Sequence, residues 1–241
     1  MSKARLAILV VITLCVLIVP TALSKKTKVS RAFPVYDNGN KPDLTIDPQN
    51  FVARMEIVDR LFDETGCEVK EGAVHASGNR RIIRFETVIL NSGDGDLVVG
   101  DRNDPNNQYA QVFANAPCRG DYYIKDFSRY ELLSLDRTVV LAEQKSGLYL
   151  EDSFKVNGGK SKSFDSASQG ITSGWADSYN KQLAGQWIDI TGIPEGDYIV
   201  RASINISNTF DEGTNRYTNA VETMIHVPDP RKHVKTENSA E

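Results

Sequence analysis

From Asp43 onward the apolar positions fall into short runs rich in β-branched and aromatic residues, each closed by Gly, Asn, Asp or Pro. The runs are Phe51 to Leu61, Ile82 to Leu90, Asp96 to Gly100, Tyr122 to Leu135, Thr138 to Ala142, Trp187 to Thr191, Asp197 to Ile206 and Thr218 to Val227. Short runs at this spacing predict strands joined by tight turns, so the expected fold is mostly β: one antiparallel β-sandwich over residues 43–227 with long connecting loops. Asn91-Ser-Gly-Asp-Gly-Asp96 and Pro194-Glu-Gly-Asp197 read as the turns between strands, with glycine supplying positive φ and proline a preset one. Residues 153–185, rich in Gly, Ser and Lys, predict a long connection over one edge or face of the sandwich. Connections of that length more often carry function than filler. No stretch has the 3.6-residue period of a long amphipathic helix, and there is no internal repeat.

The ends read differently. Lys3 and Arg5 precede an apolar run from Leu6 to Val19, then Pro20, Ala22 and Ser24, the pattern of a secretory signal peptide over residues 1–24 cleaved near Ser24. The alternative is an uncleaved membrane anchor formed by residues 6–23, with Lys25, Lys26 and Lys28 at the membrane face. Either way the domain is expected outside the cell, secreted or extracellular. Residues 25–42 are polar and aperiodic and read as a linker; residues 228–241 are charged and read as a disordered tail.

Composition narrows the function classes. Of 241 residues 40% are hydrophobic, enough for a packed core, and 28 basic against 32 acidic residues give a net charge of -4 without a basic patch. Nucleic acid is therefore not an expected partner. An extracellular or surface protein is, and a membrane only through the N-terminal segment. Cys15 lies in the targeting segment, which leaves Cys67 and Cys118 in the mature chain. In an oxidising compartment two cysteines predict one disulfide; the bland alternative is two unpaired buried thiols. His75, His226 and His233 sit in a loop, on the last strand and in the tail, and suggest no metal cluster. There is no phosphate-binding glycine loop and no nucleophile elbow.

Several segments in order carry the reading further. They are Lys41-Pro-Asp-Leu44, Arg81-Ile-Ile-Arg-Phe85, the stretch from Leu90 to Gly100, Phe127-Ser-Arg-Tyr-Glu-Leu-Leu133, Leu150-Glu-Asp152, Gly174-Trp-Ala-Asp-Ser-Tyr179, Gly185-Gln-Trp-Ile-Asp-Ile-Thr191 and the closing stretch from Pro194 to Val227. Together they resemble the lysyl oxidase catalytic domain across residues 41–227, and the shorter microbial-type members more than the cysteine-rich animal ones. The resemblance implies a copper-dependent protein-lysine 6-oxidase, converting primary amines to aldehydes with release of ammonia and hydrogen peroxide. It also implies two cofactors: Cu(II) on an alternating His-x-His-x-His strand, and lysine tyrosylquinone built from the protein's own lysine and tyrosine. At the quinone-precursor positions stand Lys145, seven residues before Asp152, and Tyr179, eight before Trp187. Read without the resemblance, Lys145 is a solvated loop lysine and Tyr179 a core aromatic.

The copper motif departs from the family. Cys-His-x-His-x-His corresponds here to Cys118-Arg119-Gly120-Asp121-Tyr122-Tyr123, so Arg119, Asp121 and Tyr123 replace the three ligands. Arginine keeps its proton and cannot ligate a metal. Arg119 and Asp121 are expected on one strand face, where an ion pair packed by Tyr123 would fill the vacated space. The expectation is a catalytically degenerate module, structural or binding, with no cofactor. The alternatives are a surviving copper and quinone amine oxidase with unusual ligands, or a hard cation or other small ligand held by Asp121, Tyr123 and Asp152. Asn205-Ile-Ser207 is in addition an acceptor triad for N-glycosylation at Asn205.

Overall fold

A computed structural model of the chain describes residues 33–118, 120–156, 160–232 and 234–237. The expected targeting segment, the first part of the expected linker, Arg119 and His233 lie outside them. Three larger antiparallel sheets and one two-stranded pair form the fold. The first sheet joins β1 (Leu44–Ile46), β4 (Thr87–Asn91), β11 (Trp175–Tyr179) and β9 (Phe154–Lys155) in that order. The second joins β12 (Trp187–Asp189), β3 (Gly78–Arg84), β2 (Glu56–Phe62) and β15 (Lys235–Glu237), where β15 on β2 is a parallel pair at the edge. The third runs β14 (Ala220–Val227), β13 (Gly196–Ile204) and β7 (Asp121–Leu133), with β6 (Phe113–Ala116) and β8 (Val140–Leu148) sharing the far side of β7. β5 (Leu97–Gly100) pairs with β10 (Gln169–Ile171).

One main core lies between the sheets. Phe51, Phe85, Tyr130, Leu132, Val200 and Ile204 are among its fully buried members, and small satellite clusters gather around Trp187 and around Leu90. The mostly β reading therefore holds, but several boundaries move. The run starting at Phe51 opens as helix α1 (Pro48–Ala53), because Asp47 accepts from the amides of Gln49 and Asn50 and Pro48 takes the first turn. The 153–185 segment contributes three strands instead of lying over the sheets, with β11 between β4 and β9.

The expected linker and tail are partly built into the domain. Asn38 is buried, with its amide nitrogen donating to Pro42 O at 2.9 Å and Glu212 O at 2.7 Å. Residues 40–43 pass so close to the Asn91–Asp96 turn that a Cβ at Gly93 would lie 2.2 Å from Lys41 O, and one at Gly95 2.2 Å from Asn40 O. These glycines are needed for close approach and not for positive φ, which neither adopts; nor does Gly196 in the 194–197 turn. At the other end, Arg81 donates to Asp229 O and Lys232 O, which leads the chain into β15.

Candidate functional site

The site is built around the first half of β7. Helix α2 (Cys67–Lys70) is disulfide-bonded through Cys67 to Cys118, and Glu71 beyond it accepts from the Cys118 amide at 3.0 Å. This pins the β6–β7 hairpin, whose turn uses Gly120 at φ 72°. Period 2 then sends Asp121 and Tyr123 to the same side of β7. The Tyr123 ring lies on Gly147 of the neighbouring β8: a Cβ there would sit 1.9 Å from Tyr123 Cδ2, so only glycine admits the ring. After Ile124 the β7–β8 register shifts, with Asp126 at φ 49°, before regular pairing resumes at Ser128.

Asp121 and Tyr179 line one cavity of 310 Å³ together with Glu151, Asp177 and Tyr149. Tyr123 and Lys145 line a second of 170 Å³, and Gly147 and Ala184 border both. The structure thus gathers four of the expected site residues into two adjoining cavities, with Lys145 and Tyr179 on different ones. Lys145 is half-exposed and faces Glu143 at 3.9 Å. Tyr179 is buried on β11, and its hydroxyl lies 2.9 Å from Tyr149 O and 2.5 Å from Asp177 Oδ2.

Asp177 is the residue that sequence reasoning missed. It points the same way as Tyr179 two positions on, a period-2 relation visible in Trp175-Ala-Asp-Ser-Tyr179. Burial raises its carboxyl to about 6, although hydrogen bonds from Tyr179, the Glu151 amide, Ser153 and the Ser178 amide pull the other way. Burial, with the Asp177 charge beside it, holds the Tyr179 phenol well above its ordinary range, so the hydroxyl keeps its proton.

The donor set does not suit copper. Arg119 is outside the described residues, while Asp121 and Tyr123 offer a carboxylate and a phenol where Cu(II) favours imidazole nitrogen. His226 on β14 is bonded to Asp197 at 2.8 Å and His75 is in an exposed loop; neither lines these cavities. Asp152, considered for a hard cation, has its carboxylate taken by the amides of Ser163, Phe164 and Thr172 and the Thr172 hydroxyl, so it organises the 163–172 segment. Asn205 lies buried at the turn after β13. It is 4% exposed, its amide nitrogen donating to Phe210 O and Glu212 Oε1, so a glycan on it would require this turn to open.

A family model for lysyl oxidase matches residues 58–236. The chain is 32% identical over 176 residues to lysyl oxidase homolog 2 of Mus musculus, which covers 68% of this chain and 22% of that protein. To the Homo sapiens protein of that name it is 30% identical over 192 residues, 75% of this chain and 24% of the relative. The chain therefore spans about a quarter of the length of the relatives it matches.

Proposed function

Since the chain belongs to the lysyl oxidase family, a family that works with copper and a quinone, we propose that it is an exported, non-catalytic member acting as a structural or binding module. The observation that carries this reading is the packing at the copper strand. Tyr123 is seated on Gly147, and among the described residues no imidazole lines the cavities that hold Lys145 and Tyr179. Without a redox metal to activate oxygen, a lysine and a tyrosine near one another are inert, and here the lysine faces Glu143 while the tyrosine is bonded to Asp177.

The test is to incubate purified protein with copper and oxygen, then seek a peptide crosslinked between Lys145 and Tyr179 and amine-dependent peroxide. The expected result is neither. Finding both would establish the active amine oxidase instead. Stoichiometric copper by elemental analysis would equally count against the proposal. Substituting Arg119→His, Asp121→His and Tyr123→His together asks whether the surrounding pocket keeps room for a copper site. The Tyr123 packing predicts that the triple variant binds copper weakly, because the replacement ring no longer fills the space over Gly147.

A further inference from the structure

The third sheet ends at β14, and among the described residues no strand pairs with its outer edge. β14 pairs with β13 at every position from Ala220 opposite Ser203 to Val227 opposite Gly196, without a bulge. Ile204 N–H donates to Asn219 O at 2.9 Å, and bonded pairs alternate along an antiparallel ladder. Val221, Thr223 and Ile225 thus turn their amides and carbonyls toward β13, while Glu222, Met224 and His226 turn theirs to the open edge. The Thr218 hydroxyl, bonded to Ala220 O at 3.0 Å, closes the first outward carbonyl and agrees with this phase.

Sheets commonly blunt a long edge with Lys, Pro, a bulge or a covering segment. β14 contains no Lys and no Pro, and Met224 at its centre is 69% exposed. The charges along the edge are polarised. Arg137 and Arg201 gather at Glu222, bonded to it at 2.8 and 2.7 Å, with the buried Glu131 behind Arg201 at 3.7 Å; Asp197 and Glu195 gather at His226, at 2.8 and 3.9 Å, against the cation Lys232, 3.5 Å from Glu195.

We propose that β14 is a self-association edge: two copies of this chain pair their β14 strands antiparallel about a two-fold axis at Met224. In that register Met224 faces Met224 of the second copy, and Glu222 faces the second copy's His226. The side chains keep their faces, since even-numbered positions meet even-numbered ones. The guanidinium end of one copy then lies beside the carboxylate end of the other, whereas parallel pairing would set like charges together. The contact is isologous and closes at two copies. One strand pair is a small interface, so the association is expected to be weak and reversible.

Sedimentation equilibrium of the purified chain from about 1 to about 500 µM spans the range of weak association and should show a monomer–dimer equilibrium. Met224→Lys sets two cations opposite each other on an exposed position, and should weaken the dimer at least about tenfold without unfolding the domain. In a Cys15→Ser background, Met224→Cys should be captured as a dimer by a short bismaleimide, and Val98→Cys, 54% exposed on β5, should not. A monomer throughout the range, a dimer unaffected by Met224→Lys, or equal capture at Val98→Cys would overturn the proposal, the last two by locating the contact on another surface.

Discussion

Asp177 should make this protein less stable at neutral pH than in mild acid, relative to a variant that lacks it. Its carboxyl is raised by burial to about 6, against about 3.9 for an unfolded aspartate. Between those values the folded chain holds a proton that the unfolded chain has lost, so stability falls as pH rises. The contribution is full below pH of about 4 and reduced by roughly 3 kcal/mol above 6, because each pH unit separating the two values is worth about 1.36 kcal/mol. The geometry agrees with a shared proton. Tyr179 has one hydroxyl hydrogen for two nearby acceptors, Tyr149 O and Asp177 Oδ2, and a proton on Asp177 satisfies both contacts. In Asp177→Asn the amide NH₂ must meet one of the donors now bonded to the carboxylate, the Glu151 or Ser178 amide among them, which costs roughly 1–3 kcal/mol. Urea unfolding of both proteins, followed by the fluorescence of Trp175 and Trp187 at several pH values from 4 to 7, reads the difference. The variant's deficit should shrink by roughly 3 kcal/mol across that window. A difference that stays flat would refute the buried-carboxylate argument, and carboxylates elsewhere cancel because both proteins share them.

Removing the Cys67–Cys118 bond, which spans 51 residues, by Cys67→Ser with Cys118→Ser should cost roughly 4 kcal/mol in non-reducing urea titrations; a loss near zero would show that the hairpin is held by its other contacts. Gly147→Ala should cost roughly 1–3 kcal/mol by displacing the Tyr123 ring. Combined with Tyr123→Ala it should cost clearly less than the sum of the two single losses, and simple additivity would contradict the ring's seat on Gly147. Expression in a glycosylating host should yield Asn205 unmodified by peptide mass spectrometry, whereas full occupancy would mean the Asn205–Glu212 turn forms only after modification.

What the sequence disclosed depended on whether a signal was local. β7, β13 and β14 read well because each alternates or runs apolar over many residues. β1, β6, β9, β10 and β11 did not, since strands of two to five residues give periodicity too little length to register. The segments flanking the domain are a different case. Polar composition suggests exposure, but Asn38, Asp43 and Asp229 are buried polar residues; Asn38 holds the distant Glu212 carbonyl, and the Asp229 carbonyl is itself held by the Arg81 side chain. No window of sequence contains those partners. Resemblance names Lys145 and Tyr179 as candidates but says nothing of their surroundings, which come from β8 and β11 lying on different sheets.

The contact between β7 and β8 couples two positions: Tyr123 meets a neighbour on β8 that has no side chain, and Gly147 also borders the Tyr179 cavity. Any side chain at 147 would displace the Tyr123 ring, so the two positions constrain each other through a steric contact. Asp121 lines the same cavity as Asp177 and Glu151, and it is burial that raises the Asp177 carboxyl. The raised Asp177 carboxyl therefore follows from its own burial on β11 beside the Tyr179 hydroxyl.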